Sequence, residues 1–293
     1  MKKIGVVGIK GGWSSERLAD AVENLTGFRL LVEPDKIRLD LPAGKVWHED
    51  TELSSLDALI IKKIGASYSP DLLDRLEVLR FLSERGLPIF SDPARIIRVL
   101  DRLACTISLQ LAGIPMPPLT ITEEVDRALA AVDQYGSAVF KPLYSTKARG
   151  MLVLSPGPDA RRSIEKYREN NPVMYIQKKI DLRGRDLGVV FLGGEYLTTY
   201  ARTTETGAWN TTTASGGKYT PYDPPEEIIA LAHRAQKPFA LDFTCVDVVE
   251  TGDGPVVFEV SAFGGFRGLL EAQGIDAAWR YAEYVQAQVP PCT

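Results

Sequence analysis

Val256-Val257-Phe258-Glu259-Val260-Ser261-Ala262-Phe263-Gly264-Gly265-Phe266-Arg267-Gly268-Leu269 decides the reading of this chain, together with Cys245-Val246-Asp247-Val248-Val249-Glu250 before it. Both stretches read as buried strands, and each carries one carboxylate, Asp247 and Glu259. Asp253-Gly254 between them marks a tight hairpin turn. A hairpin brings the two carboxylates together, where they repel unless something positive lies between them. Hard oxygen ligands suit Mg²⁺, which binds through one or two carboxylates plus nucleotide phosphates. The alternative is a pair of solvated carboxylates on an exposed hairpin face.

The 293 residues are enough for two or three compact units. With 34 basic and 38 acidic residues the net charge is −4, so no broad nucleic-acid surface is expected. The apolar run after Lys2-Lys3 is cut by Gly8, Lys10 and Gly11-Gly12, which is not a signal peptide. No run is long enough to span a membrane. Cys105, Cys245 and Cys292 are far apart and odd in number, with neither metal-ligand nor disulfide spacing. A reducing cytoplasm is the expected setting. His48 reads as part of a polar turn and His233 as part of a helix; neither is a candidate base.

Upstream, Lys3–Gly8 is a buried strand, followed by Gly11-Gly12-Trp13-Ser14 and a helix over 15–25. Strand, Gly-rich turn and helix in this order open many α/β folds, although neither a P-loop nor Gly-x-Gly-x-x-Gly is present. Leu56–Ile64 is a second strand, 70–85 a helix, and Pro88-Ile89-Phe90 a short strand, so a small parallel sheet is expected. Residues 93–112 form an amphipathic helix or helix pair, ended by Gly113-Ile114-Pro115. Strand 119–121, helix 123–135 and strand Ala138–Lys141 follow. A polar, basic turn runs from Lys141 to Met151; backbone N–H groups in such a turn cradle phosphates. Leu152–Leu154 and Val173–Ile180 are strands, and 187–202 is a hairpin about Gly193-Gly194. Residues 203–224 lack periodicity and read as a functional loop. Helices are expected over 225–239 and 275–288.

In this order the parts resemble the ATP-grasp superfamily, and within it the RimK-type carboxylate–amine ligases. The resemblance covers residues 93–288 and rests on Phe140-Lys141-Pro142-Leu143 with the turn to Gly150-Met151, Ile176-Gln177-Lys178-Lys179-Ile180, Arg183-Gly184-Arg185-Asp186, Cys245–Val248, Phe258–Ser261, and Phe266–Leu269 with Gly274-Ile275-Asp276. The chain also resembles the ATP-grasp member of bacterial GAK gene systems. The fold implied is α/β (α+β): an ATP-grasp fold with an N-terminal Rossmann-like pre-grasp domain. Its expected units are 1–92, a central subdomain 93–180 and a C-terminal subdomain 181–293.

The activity implied is ATP-dependent activation of a carboxylate to an acylphosphate, which an amine attacks to give an amide. By position, ATP would be held by Arg102, Lys141, Ser145, Thr146, Lys147, Gly150, Gln177, Lys178, Lys179, Ile180 and Asp186. Asp247, Glu259 and Ser261 would hold Mg²⁺, with Mn²⁺ as an alternative; Arg202, Arg267 and Asn210 would act at the reacting centre. The partners implied are a small-molecule or peptide carboxylate and an amine, without nucleic acid or membrane, in a monomer or homo-oligomer.

The chain departs from the family pattern at several positions. Ser261 stands for the usual metal-binding Asn, and Asp101-Arg102 for Asp-Lys. Asp186-Leu187-Gly188 stands for Asp-Ile-Arg, and Trp209-Asn210-Thr211-Thr212 for Trp-Arg-x-Asn. Ser215 replaces an arginine. Lys147, Arg149 and Lys218 are candidates to restore lost charge. Arg202 could instead pair with Glu205 or a neighbouring strand, Trp13 is a candidate for the substrate cleft, and Tyr219 and Tyr222 read as packing residues. Two other functions stay open: a phosphotransferase on the same fold, and a nucleotide-binding module acting through a partner protein.

Overall fold

The computed structural model describes residues 1–146, 148–204, 210–211 and 216–290. β1 (Ile4–Val7) and β6 (Ala58–Ile61) are buried along their whole length. Such strands belong in a parallel sheet covered on both faces. With β2 (Leu31–Val32) and β7 (Ile89–Phe90) they form a parallel sheet of order β2-β1-β6-β7. Helices α1 (Trp13–Thr26) and α2 (Asp71–Glu84) make the crossovers. Residues 37–52 were not assigned from sequence. They form a second, antiparallel sheet of β3 (Ile37–Asp40), β4 (Lys45–His48) and β5 (Thr51–Glu52). His48 is therefore not in a polar turn: it ends β4, is buried, and its Nε2 accepts the Glu33 N–H at 3.1 Å.

The amphipathic stretch 93–112 is two helices, α3 (Pro93–Leu100) and α4 (Arg102–Leu111). Each has an aspartate at its N-cap. Asp92 accepts from the N–H groups of Ala94 and Arg95, and Asp101 from those of Leu103 and Ala104. The next sheet, of order β10-β9-β11-β8, contains β8 (Leu119–Thr122), β9 (Ala138–Lys141), β10 (Leu152–Leu154) and β11 (Met174–Lys178), all antiparallel. Helices α5 (Val125–Tyr135) and α6 (Ala160–Arg168) cover it, and it has its own core around Phe140, Ile164, Met174 and Ile176. α6 was not anticipated.

The largest sheet has the order β14-β13-β12-β15-β16. Its strands are β12 (Arg185–Leu192), β13 (Glu195–Thr203), β14 (Lys218–Pro221), β15 (Phe243–Thr251) and β16 (Gly254–Ser261). β14 lies in the stretch read as loop. Successive residues face opposite sides of a strand. Val189, Val246 and Val248 pack with α7 (Glu226–Gln236), whereas Val190, Tyr200, Phe243 and Cys245 pack with α8 (Phe266–Gln273) and α9 (Ala277–Gln288). α8 also escaped the sequence reading. The second of these cores includes Ile4, Val6, Leu18 and Val22, so the first and last thirds of the chain pack as one layered body. No helix among the described residues is long and apolar enough to cross a membrane.

Candidate nucleotide and metal site

Cross-strand register builds the site. Asp247 pairs with Glu259 and with Gly188, Cys245 with Ser261, Asp186 with Arg202, and Gly188 with Tyr200. By alternation these residues share one face, the face that α8 and α9 cover at its other end. The hairpin is not regular: Val248 pairs with Val257 while Asp247 pairs with Glu259, so Phe258 is an extra, bulged residue. Without that bulge Asp247 would oppose Phe258. The bulge brings the two carboxylates side by side, and Phe258 lies with its ring 5.1 Å from Lys141 Nζ.

Two guanidinium groups stand among three carboxylates. Arg202 donates from Nε to Asp186 Oδ1 at 3.0 Å, pairs through Nη2 with the other Asp186 oxygen, and reaches Asp247 Oδ2 at 2.9 Å. Thr211 Oγ1 also donates to Asp186. Arg102 Nη1 is 3.6 Å from Glu259 Oε2, and its Nε and Nη2 donate to the carbonyls of Pro142 and Ser145 at 3.1 and 3.2 Å. Burial opposes the Arg202 charge, yet Asp247 and Asp186 hold its pKa well above the usual arginine range. Burial pushes the Asp247 carboxyl up; Arg202 pulls it down, while Asp186 and Glu259 push it up further. Asp186, Asp247 and Glu259 thus outnumber their two arginines, and Glu259 keeps about half its side chain exposed. The paired carboxylates Asp247 and Glu259, with Ser261 two residues along the same strand face, are oxygen donors of the type a divalent cation takes.

Lys141 ends β9 and faces the same space. It is buried and donates to Gln177 Oε1 at 2.6 Å. Burial, then the nearby Arg102 charge, bring its ammonium down to about 7, against the pull of Glu259 and Asp247. An amine held near neutrality regains its proton when an anionic phosphate arrives. The strand-end pair Lys141 and Gln177, the bulged Phe258 and the acidic face therefore meet where the central and C-terminal sheets face each other.

The other anticipated residues divide. Ser145, Thr146 and Gly150 lie in the turn after β9, with Gly150 in the left-handed region at φ 68°. Lys178 and Lys179 are exposed, and Lys178 and Ile180 border a groove of about 630 Å³ with the Pro115–Pro118 connection and α7. Asn210 is half-buried. Arg267 is not beside the carboxylates' own arginines: it sits on α8 with its guanidinium 4.9 Å from the Trp13 ring. Tyr219 packs edge-on against Tyr200, and Tyr222 donates to Glu250. Lys147, Glu205, Trp209, Thr212, Ser215 and Cys292 lie outside the described residues.

Three contributors escaped the sequence reading. Phe258 lies in an apolar run that gives no sign of a bulge. Tyr200 is packed where Gly188 and Gly268 leave room: a Cβ at either position would come within 2.4 or 2.6 Å of its ring. Lys62 follows β6 and is fully enclosed, yet it donates to the Phe263 carbonyl at 3.1 Å and lies 3.4 Å above the Phe266 ring. A lysine directly after four buried apolar residues was its only signal.

The model of the RimK-like ATP-grasp domain matches residues 99–285. Tetrahydromethanopterin:alpha-L-glutamate ligase of Methanosarcina acetivorans is 25% identical, the alignment covering 98% of this chain and 99% of that protein. Among solved structures, a RimK domain ATP-grasp protein from Sphaerobacter thermophilus superimposes with TM-score 0.73 at 24% identity, covering 97% of this chain and 99% of its own. The ATP-grasp ligase PsnB, complexed with a variant of its minimal precursor, Mg and ADP, superimposes with TM-score 0.76 at 15% identity, over 99% of both chains. With the family model matching residues 99–285, well over half of the chain, the chain belongs to the RimK-like ATP-grasp family.

Proposed function

We propose that this chain is an ATP- and Mg²⁺-dependent carboxylate–amine ligase that joins glutamate, as the amine, to a carboxylate of a small acid or a peptide. The single observation that carries the site assignment is the direct pairing of Asp247 with Glu259 on the face shared with Arg202, opposite Lys141. Family membership and the glutamate ligase relative support the ligase reading.

In this reading Lys141 and Arg102 bind phosphate, Gln177 and the Lys178–Ile180 backbone border the base, and Asp186 holds the ribose side. Asp247, Glu259 and Ser261 would hold Mg²⁺, or Mn²⁺ on the same oxygen donors, which would supply positive charge against the phosphates. An acceptor carboxylate oxygen bonds the γ-phosphorus as the bond to the bridging oxygen of ADP breaks. The amine nitrogen then bonds the acyl carbon, the bond to phosphate oxygen breaks, and the amine proton passes to solvent. Arg202 and Asn210 are assigned to the reacting groups, and Arg267, on α8, to the acidic acceptor. The protein contributes positioning and charge compensation rather than a covalent nucleophile.

The division into 1–92, 93–180 and 181–293 is part of the same proposal, as is a cytoplasmic setting, which the buried free thiols of Cys105 and Cys245 favour. One observation favours the phosphotransferase alternative: position 188 is glycine, with Tyr200 filling the adjoining space, so a cation beside the acceptor is missing. ATP consumption with glutamate and a pool of acidic peptides tests the proposal. Consumption must depend on both Mg²⁺ and glutamate; glutamate-independent phosphate transfer to the pool selects the alternative.

A further inference from the structure

The parallel sheet offers a second recognition element. Its order β2-β1-β6-β7 sends the chain after β1 to one side and the chain after β6 to the other. The crevice outside the carboxyl ends of two such strands is where open α/β sheets bind ligands. Trp13 follows β1 there and Lys62 follows β6, and both reach the segment that carries Arg267. Lys62 donates to the Phe263 carbonyl and lies over the Phe266 ring, which fixes where α8 begins. Trp13, one-third exposed, has the Arg267 guanidinium 4.9 Å and the Arg17 guanidinium 5.7 Å from its ring centre.

The two arginines are not equivalent. Arg17 spends two nitrogens on Asp276, at 3.2 and 2.7 Å. Among the described residues Arg267 pairs only with Glu271, 3.5 Å away on the exposed side of the same helix, a pair of little strength. An aromatic face orients a guanidinium while leaving its N–H edge to take a carboxylate through two parallel bonds. Lysine offers no such planar edge.

We infer that Trp13 is a specificity-determining residue: it holds Arg267 against its ring at the mouth of the β1/β6 crevice, where the pair selects an acceptor bearing a second anionic group, of the acidic-peptide class. This rests on the ligase reading for the word acceptor, and on the Arg–Trp geometry for the binding itself. Trp13 acts as a positioning residue for Arg267, which makes the contact.

The probe is triglutamate, titrated calorimetrically into the full chain with Mg²⁺ and a non-hydrolysable ATP analogue, and again without nucleotide; trialanine is the neutral control. Triglutamate is expected to bind and trialanine not. Trp13→Ala is expected to weaken triglutamate binding at least tenfold, Trp13→Phe to retain it within threefold, and Arg267→Lys to lose most of it. Thermal melting confirms that each variant is folded. Equal binding by wild type and Trp13→Ala, no binding by wild type, or equal binding of trialanine overturns the inference. Nucleotide affinity from the same titrations bears on the ligase reading alone: loss of nucleotide binding would remove the ligase while triglutamate binding through Trp13 stood.

Discussion

At the scale of single residues, the hairpin carboxylates and the strand-end lysine carry opposite predictions. Glu259→Gln keeps size and shape but removes the charge proposed to bind metal, so Mg²⁺-dependent ATP turnover should fall by about 100-fold or more while the melting temperature stays close to wild type. Unchanged turnover would remove Glu259 from the metal site. Lys141 titrates near 7 in the folded protein, well below its unfolded value of about 10.4. Between these values the unfolded chain holds more protons, so this group's penalty is full below pH 7 and fades as pH rises towards 10. Nucleotide phosphates favour the charged amine, so binding at pH 8 should take up a proton, and affinity should fall as pH rises above 7. Calorimetry in buffers of different ionisation enthalpy reads that proton; Lys141→Met should abolish it. Asp247, Glu259 and Lys141 were legible in sequence because charged residues in apolar runs stand out. Lys62 was missed because its partners are two carbonyls and a ring, 200 residues away in the chain.

At the scale of elements, periodicity revealed strands and helices with an apolar side of ordinary length. It missed β2 to β5, α6, β14 and α8, which are short or strongly polar. α6 contains two arginines, a lysine and a glutamate in its first eight residues, and its apolar stripe is narrow, only Ala160, Ile164 and Tyr167, so the polar majority hid it. The bulge at Phe258 was also illegible, because register depends on the partner strand rather than on local sequence. The glycines around Tyr200 provide the test at this scale. Gly188→Ala puts a methyl group within 2.4 Å of a ring that is 3% exposed, with β12, β13 and α8 closing the space. Overpacking of this kind costs about 1–3 kcal/mol. The loss should appear in chemical denaturation, and replacing Tyr200 by Val in the same chain should recover part of it. No destabilisation in Gly188→Ala would show that the strand pair gives way instead of the ring.

At the scale of the whole molecule, the proposed nucleotide site lies between a central sheet with its own core and a C-terminal sheet packed onto the N-terminal sheet. A ligand that touches both sheets should tie them together. Mg²⁺ with ADP at 100 times its dissociation constant should stabilise the fold by about 2.7 kcal/mol, and removal of the metal with EDTA should reverse most of that gain. A melting curve indifferent to metal would separate nucleotide binding from Asp247 and Glu259. The central claim, that two carboxylates, two arginines and one lysine arm a carboxylate for amide formation, is tested most directly by its product. The chain is incubated with Mg²⁺-ATP, glutamate and a pool of acidic peptides and small acids, and the mixture is read by mass spectrometry. The account predicts an acceptor heavier by one glutamyl residue in amide linkage, with one ADP and one phosphate per amide. A phosphorylated acceptor without amide, or bound ATP with no product from any pool, would contradict it.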